Sequence, residues 1–231
     1  MDNLQQRIQE IENNIEMACD KVGRDRSDIT VVAVTKAVSS IRAKEVIDAG
    51  IIDLGENRPD GLIEKQQKIN DENAVWHYIG NVQSRSVRDM VGGISYLHSL
   101  SRVSIAKEIQ KRVSVPLDCF VQVNVSGEAS KSGVTPEKLE DFIAELAAYD
   151  KIRVVGLMTM APHVDDEDLI RTVFRQMREL RNRIVEKGFA HAPCKELSMG
   201  MSNDYTIAIE EGATYVRIGT ALVGAEGEEN R

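Results

Sequence analysis

Cysteine is scarce. Cys19, Cys119 and Cys194 are the only three, far apart and without a Cys-x-x-Cys pair. That argues against a disulfide framework and fits a reducing, cytoplasmic compartment. Basic charge is also in deficit, with 29 Lys and Arg against 37 Asp and Glu and a formal net charge of −8. Nucleic acid and anionic membrane surfaces are both held by clustered cations, so neither is expected as a partner. No apolar run approaches the ~18–20 residues that span a bilayer. The first segment, MDNLQQRIQEIENNIEMACDK, lacks the basic start and apolar stretch of a signal peptide. His77, His98, His163 and His191 show neither HxH nor HExxH spacing, so no metal site is expected. No stretch reads as a linker, and only the tail EGEENR is of low complexity.

What is present is an ordinary globular balance, 42% hydrophobic and 29% charged, arranged in a repeating alternation. Residues 4–22 carry Leu4, Ile8, Ile11, Ile15, Ala18 and Val22 at spacings of three and four, an amphipathic helix. Ile29–Thr35 is short and β-branched and predicts a buried strand. Ser39 and Ser40 then cap a helix that Gly50 ends. Further strands are expected at 51–54, 75–79, 94–97, 117–125, 154–160, 196–199 and 214–218. Helices are expected at 59–69, 82–91, 101–112, 136–149 with Thr135 as cap, 167–187 and 204–211, with a short apolar piece at 221–223. Eight strands separated by helical segments imply parallel pairing. The expected fold is α/β, a single (β/α)8 TIM barrel over residues 1–231 with an extra N-terminal helix packing under it. A doubly wound open sheet is the alternative, but no GxGxxG follows the first strand.

In such a barrel the chemistry sits where strands end. Lys36 follows the first strand and shares the side-chain parity of Val32 and Val34. Rising from an apolar floor it would be desolvated and free to act as a nucleophile toward an aldehyde; just past a strand end it could equally be a solvated surface lysine. The segment Ser198-Met-Gly-Met-Ser202-Asn203 leads from the seventh strand into a helix, and Arg217-Ile-Gly219-Thr220 ends the eighth. A helix N-terminus, a cation, a glycine and hydroxyls on adjacent strands suggest a phosphate cradle, although Ser202 alone could be a helix cap and Gly219 a plain turn. Phosphate together with an imine-forming lysine suggests pyridoxal 5′-phosphate, PLP. Glu56 could be a general base, a helix cap or a partner of Arg58. Met158, Met160, Met199 and Met201 are expected to line the barrel interior. His77 is expected to have a core or hydrogen-bonding duty, and Cys119 to be buried and inert. The charges of 167–187 are expected to form a solvated face.

The segments VVAVTK, DLGENR, WHYIGNVQS, LHSLS, QVNVSGEASKSG, GLMTM, ELSMGMSNDY and AIEEGATYVRIGTALVG run collinearly from about residue 30 to 224. In this order they resemble the YggS/PROSC family of PLP-binding proteins, the pyridoxal phosphate homeostasis proteins. The resemblance implies a barrel like the N-terminal domain of alanine racemases, with PLP held as an internal aldimine on Lys36. Carried over by motif, Ser202, Gly219 and Thr220 would hold the phosphate. Arg217 would lie near the pyridine nitrogen or the phosphate, Asn57 would line the ring, and Ser198 and Met199 would pack near the cofactor. Two segments depart from the family pattern, Pro59-Asp60-Gly61 after the second strand and Arg85-Ser86 after the third. Only seven residues follow Gly224, so the second, tyrosine-bearing domain of a two-base racemase is not expected. The resemblance thus implies a cytoplasmic, monomeric carrier in intracellular PLP homeostasis without robust turnover. Its partners would be PLP and either PLP-dependent apo-enzymes or amino acids. A weak PLP-dependent racemase and a barrel for some other phosphate ligand are the alternatives.

Overall fold

The computed structural model describes residues 4–125, 127 and 132–225. Eight parallel strands close into a barrel in sequence order. They are β1 (Thr30–Val34), β2 (Asp53–Glu56), β3 (Val75–Tyr78), β4 (Tyr96–Leu100), β5 (Leu117–Gln122), β6 (Ile152–Met158), β7 (Glu196–Ser198) and β8 (Tyr215–Ile218). β1 pairs with β8 to complete the ring, Val32 lying opposite Arg217. The helices are α1 (Leu4–Val22), α2 (Ser40–Asp48), α3 (Pro59–Ile69), α4 (Val87–Met90), α5 (Val103–Gln110), α6 (Leu139–Leu146), α7 (Glu167–Lys187), α8 (Tyr205–Glu210) and α9 (Thr220–Val223). The expected (β/α)8 barrel with a leading helix is therefore the observed fold.

Local chemistry explains the boundaries. Ser39 accepts from the Arg42 amide at 3.2 Å and starts α2, a cap worth ~1 kcal/mol. α7 starts where Asp166 accepts from the Leu169 amide and stops at Gly188, in the left-handed region with φ +66°. Its stripe Ile170, Phe174, Met177, Leu180 and Ile184 is buried. Outward-facing strand residues such as Leu54, Leu97 and Leu157 join helix residues such as Val46, Ile105 and Phe174 in one apolar layer. Each such side chain contributes ~1.5–3 kcal/mol on full burial.

Several elements differ from the sequence expectation. The β2 strand starts at Asp53 rather than Ile51, and Ile52 is exposed. The strand accepts two acids because each finds a partner, Asp53 in His77 and Glu56 in Thr35 and Lys65. β4 is shifted towards its C-terminal end, so His98 and Ser99 are strand residues. They lie where the β4–β5 register slips between Leu97 and Leu100. The helix expected at 82–91 is one turn of α-helix flanked by 3₁₀ turns. Thr135 occupies the position before the Pro136–Lys138 turn but makes no side-chain cap bond. α1 does not lie under the barrel. It packs against its side, where Asn14 donates to the Tyr205 hydroxyl at 3.0 Å and Lys21 pairs with Glu210. Part of the charged face of α7 is not merely solvated, since Arg171, Arg175 and Arg178 reach Glu211 beside α8. Ser126 and Glu128 after β5, and the tail EGEENR, lie outside the described residues.

Candidate functional site

The strand ends surround a cavity of about 390 Å³ lined by Lys36, Asn57, Ser202, Arg217, Gly219 and Thr220, within the size range of small-molecule sites. Val34, Ile79, Met158 and Pro162 supply apolar walls. The loops after β7 and β8 meet directly, because the Gly219 amide donates to Ser202 Oγ at 3.3 Å. Six of the eight expected site residues thus share one opening.

Lys36 follows the buried Val34, the last residue of β1, and the buried Thr35, in a turn closed by the Val38 amide on the Thr35 carbonyl. The side chain is exposed, so of the two readings the sequence left open it is the solvated lysine, not the desolvated amine, that the structure shows. Parity placed it over the barrel mouth, but the chain turns there before anything covers it. Lys36 also borders a neighbouring groove of about 720 Å³ that contains Glu56, Arg58 and Lys65. Thr35 points the other way, into the wall, and its hydroxyl donates to Glu56 at 2.6 Å. Glu56 takes a second partner in Lys65 at 3.0 Å. It is buried and held by these groups rather than by Arg58, and it does not line the main cavity.

Arg217 forms part of the cavity lining yet is only 4% exposed. It donates to Ser198 Oγ at 2.6 Å and to the Thr159 carbonyl at 2.9 Å. Among the described residues no carboxylate lies within ion-pair distance of it. Burial lowers its pKa to about 10, a shift that the field of Asp204 opposes, so the guanidinium stays charged at neutral pH. Asp204 also borders the cavity, and its carboxylate takes the Met201 amide at 2.5 Å. Burial raises the Asp204 pKa, against the pull of that hydrogen bond and of Arg217.

Two glycines make this geometry possible. A Cβ on Gly80 would sit 2.1 Å from the Asn57 carbonyl oxygen, so the β2 and β3 ends can touch only without a side chain there. Gly200 has φ +94°, and its Cβ would meet that of Ala208 at 2.6 Å. The cradle differs from expectation in one respect. α8 has only six residues, too short to present much of a helix dipole, and the Met201 amide is already bound by Asp204.

Ser198 and Met199 are near the cavity but do not line it. Ser198 lies one layer deeper, as a partner of Arg217 and of His98 Nδ1 at 2.8 Å. Met199 is fully buried in the outer apolar layer. The methionines therefore do not act as one group. Met158 is buried in the cavity wall, while Met160 and Met201 are exposed at its rim. Cys119 is buried, and burial raises its thiol pKa. Asp204 and His163 line the cavity and were not foreseen as site residues. For Asp204 the available signal was an acid at the start of the helix expected at 204–211, the position where a short polar side chain binds loop amides.

A closed parallel barrel carrying a lysine, a buried arginine and a hydroxyl–glycine cradle at its strand ends defines a phosphate-binding class of (β/α)8 proteins. The model of the alanine racemase N-terminal domain matches residues 7–227. The pyridoxal phosphate homeostasis protein of Aquifex aeolicus is 36% identical, over 96% of this chain and 98% of its own. A crystal structure of an unknown protein from Bifidobacterium adolescentis superposes with a TM-score of 0.90 at 30% identity, covering 95% of this chain and 94% of that one. PipY of Synechococcus elongatus, solved with PLP bound, superposes with a TM-score of 0.79 at 26% identity, over 91% and 100% of the two chains. The chain belongs to the alanine racemase N-terminal-domain family and, within it, to the pyridoxal phosphate homeostasis proteins. No helix among the described residues is long and apolar enough to cross a membrane.

Proposed function

We propose that this chain binds PLP at the barrel mouth and holds it reversibly, as a carrier in intracellular PLP homeostasis. One observation carries the reading: Lys36, the Ser202–Gly219 contact and the buried Arg217 share a single cavity. The residues fit the group. Arg217 is a buried cation with no carboxylate at ion-pair distance among the described residues, as an anionic ligand requires. Ser202, Gly219 and Thr220 can surround a phosphate, and Asn57, Ile79 and Met158 can flank a flat ring. When bound, PLP supplies an aldehyde that an amine can capture and release. Lys36 supplies the amine on the protein's side, and its exposure leaves it open to an incoming amine. An amino acid or an apo-enzyme is the corresponding partner, in the cytoplasm, and the unit is a monomeric barrel over residues 1–231. Two-base racemisation is not favoured, because no tyrosine lines the cavity among the described residues.

The test is to add PLP, reduce with borohydride and map the pyridoxyl adduct by mass spectrometry. A single adduct on Lys36 is expected. An adduct spread over other lysines, or none, would overturn the assignment.

A further inference from the structure

A chain of hydrogen bonds runs through the barrel interior beneath the cavity. Arg217 donates to Ser198 Oγ at 2.6 Å, and Ser198 meets His98 Nδ1 at 2.8 Å. His98 Nε2 meets His77 Nδ1 at 2.9 Å, and His77 Nε2 meets Asp53 Oδ1 at 2.8 Å. Ser198, His98 and His77 are fully buried, and only Asp53, at the N-terminal end of β2, approaches solvent, with its side chain 22% exposed. Tyr96 stacks on the His77 ring at 4.6 Å, and Phe120 stacks on His98 at 4.4 Å. The two imidazoles therefore have no room to turn away.

With both imidazoles neutral, the donors in this chain have one consistent order. An arginine can only donate, and an ionised carboxylate can only accept. Ser198 Oγ, accepting from Arg217, spends its one hydrogen on His98 Nδ1. His98 then carries its proton on Nε2 and gives it to His77 Nδ1, and His77 gives its Nε2 proton to Asp53. The opposite tautomer of His98 would aim an N–H at Ser198, so that Oγ accepts from both neighbours and its hydrogen, no longer spent on His98, is left to swing about the Cβ–Oγ bond. A carboxylate at one end of the barrel thus selects the hydroxyl orientation that receives Arg217 at the other.

We propose that Asp53, His77 and His98 are positioning residues for Arg217, fixing through Ser198 the guanidinium that faces the ligand cavity. The inference rests on the PLP reading for its ligand but not for its geometry. Two measurements keep these separable. The first is nitrogen-15 NMR of histidine-labelled protein without ligand at neutral pH. Both His77 and His98 should be neutral with the proton on Nε2. A proton on Nδ1 of either ring, or an imidazolium at either, would overturn the chain. In Asp53→Asn the new amide can donate as well as accept, so a population of His98 with the proton on Nδ1 should appear.

The second measurement is PLP affinity by absorbance titration. Asp53→Asn should weaken binding about two- to tenfold, the scale of one mis-set hydrogen bond. Asp118→Asn, which removes only the Asp118–Arg153 pair near the start of β5, should leave affinity unchanged. In an Arg217→Lys background, Asp53→Asn should cost no further affinity, because its effect passes through the guanidinium. Unchanged affinity in Asp53→Asn, or an equal loss in both backgrounds, would overturn the proposal. Failure of the unmodified protein to bind PLP would instead overturn the functional reading, while the tautomers would still decide the chain.

Discussion

Arg217 is the residue at which fold and ligand make opposite demands, and Arg217→Met separates them. The guanidinium is 4% exposed, and burial lowers its pKa from the ordinary arginine value to about 10. At ~1.4 kcal/mol per pKa unit, keeping the charge there costs the folded state on the order of 3 kcal/mol. Its two hydrogen bonds, to Ser198 and Thr159, return about as much, at ~1.5–3 kcal/mol each for a charged donor. Methionine removes both terms and retains an apolar side chain of similar length. The Thr159 carbonyl is left without its donor, at ~1–3 kcal/mol, so the unliganded protein should lose no more than ~3 kcal/mol of stability. PLP affinity should behave differently. Loss of a charge-assisted contact worth ~1.5–3 kcal/mol corresponds to a tenfold to hundredfold weaker complex. Urea denaturation of the unliganded protein and absorbance titration with PLP measure the two quantities independently. The reasoning fails if the variant loses more than ~3 kcal/mol of stability while its PLP affinity is unchanged. Arg217 would then be a strut inside the barrel rather than a cation held for a ligand.

Lys36→Ala should abolish the borohydride-fixed adduct yet leave phosphate-dependent binding measurable by equilibrium dialysis, because the Ser202–Gly219 cradle remains; loss of both together would refute that division of labour. Gly80→Ala, forcing a methyl against the Asn57 carbonyl, should cost ~1–3 kcal/mol of stability, a fall in thermal midpoint of several degrees; an unchanged midpoint would refute the close approach. His98 should make stability pH-dependent. Burial, with His77 and Arg217 nearby, lowers its pKa well below 6.5, so the unfolded chain binds the extra proton first. Its contribution is full above pH 6.5 and is lost as pH falls below it, at up to ~1.4 kcal/mol per pH unit. Chemical denaturation between pH 7.5 and 5.5 should show this slope in the unmodified protein and lose it in His98→Phe.

The architecture was readable because the alternation of β-branched runs and amphipathic segments is a local signal, and parallel pairing then admits few topologies. The errors arose where a hydrophobic run and the hydrogen-bonded strand did not coincide. Ile51 and Ile52 are the first half of the strand expected at 51–54, but the ladder runs from Asp53 to Glu56 because His77, Thr35 and Lys65 pay the cost of two acids. In a closed barrel a charged residue is admissible in a strand wherever a neighbouring strand or helix supplies its partner. The same substitution of partner for hydrophobicity put His98 inside β4 rather than in the loop after it.

The site shows where sequence periodicity stops being informative. Parity correctly related Lys36 to Val34 and brought the loops after β7 and β8 together, since both inferences need only the pleat and the order of adjacent strands. It could not give depth, and so it left a desolvated and a solvated Lys36 equally open, where the structure shows the exposed one. Nor could it give contacts across the barrel. Asp53, His77 and His98 lie on successive strands, 24 and 21 positions apart, a relation the repeat itself suggests. His98 reaches Ser198 across a separation of 100 positions, from β4 to β7, and no repeat predicts that. The β4 register slip beside His98 is the kind of irregularity that re-aims a side chain. A signal of that sort is created by the closed sheet, so the link between a carboxylate at one end of the barrel and a cation at the other exists only once the ring is complete.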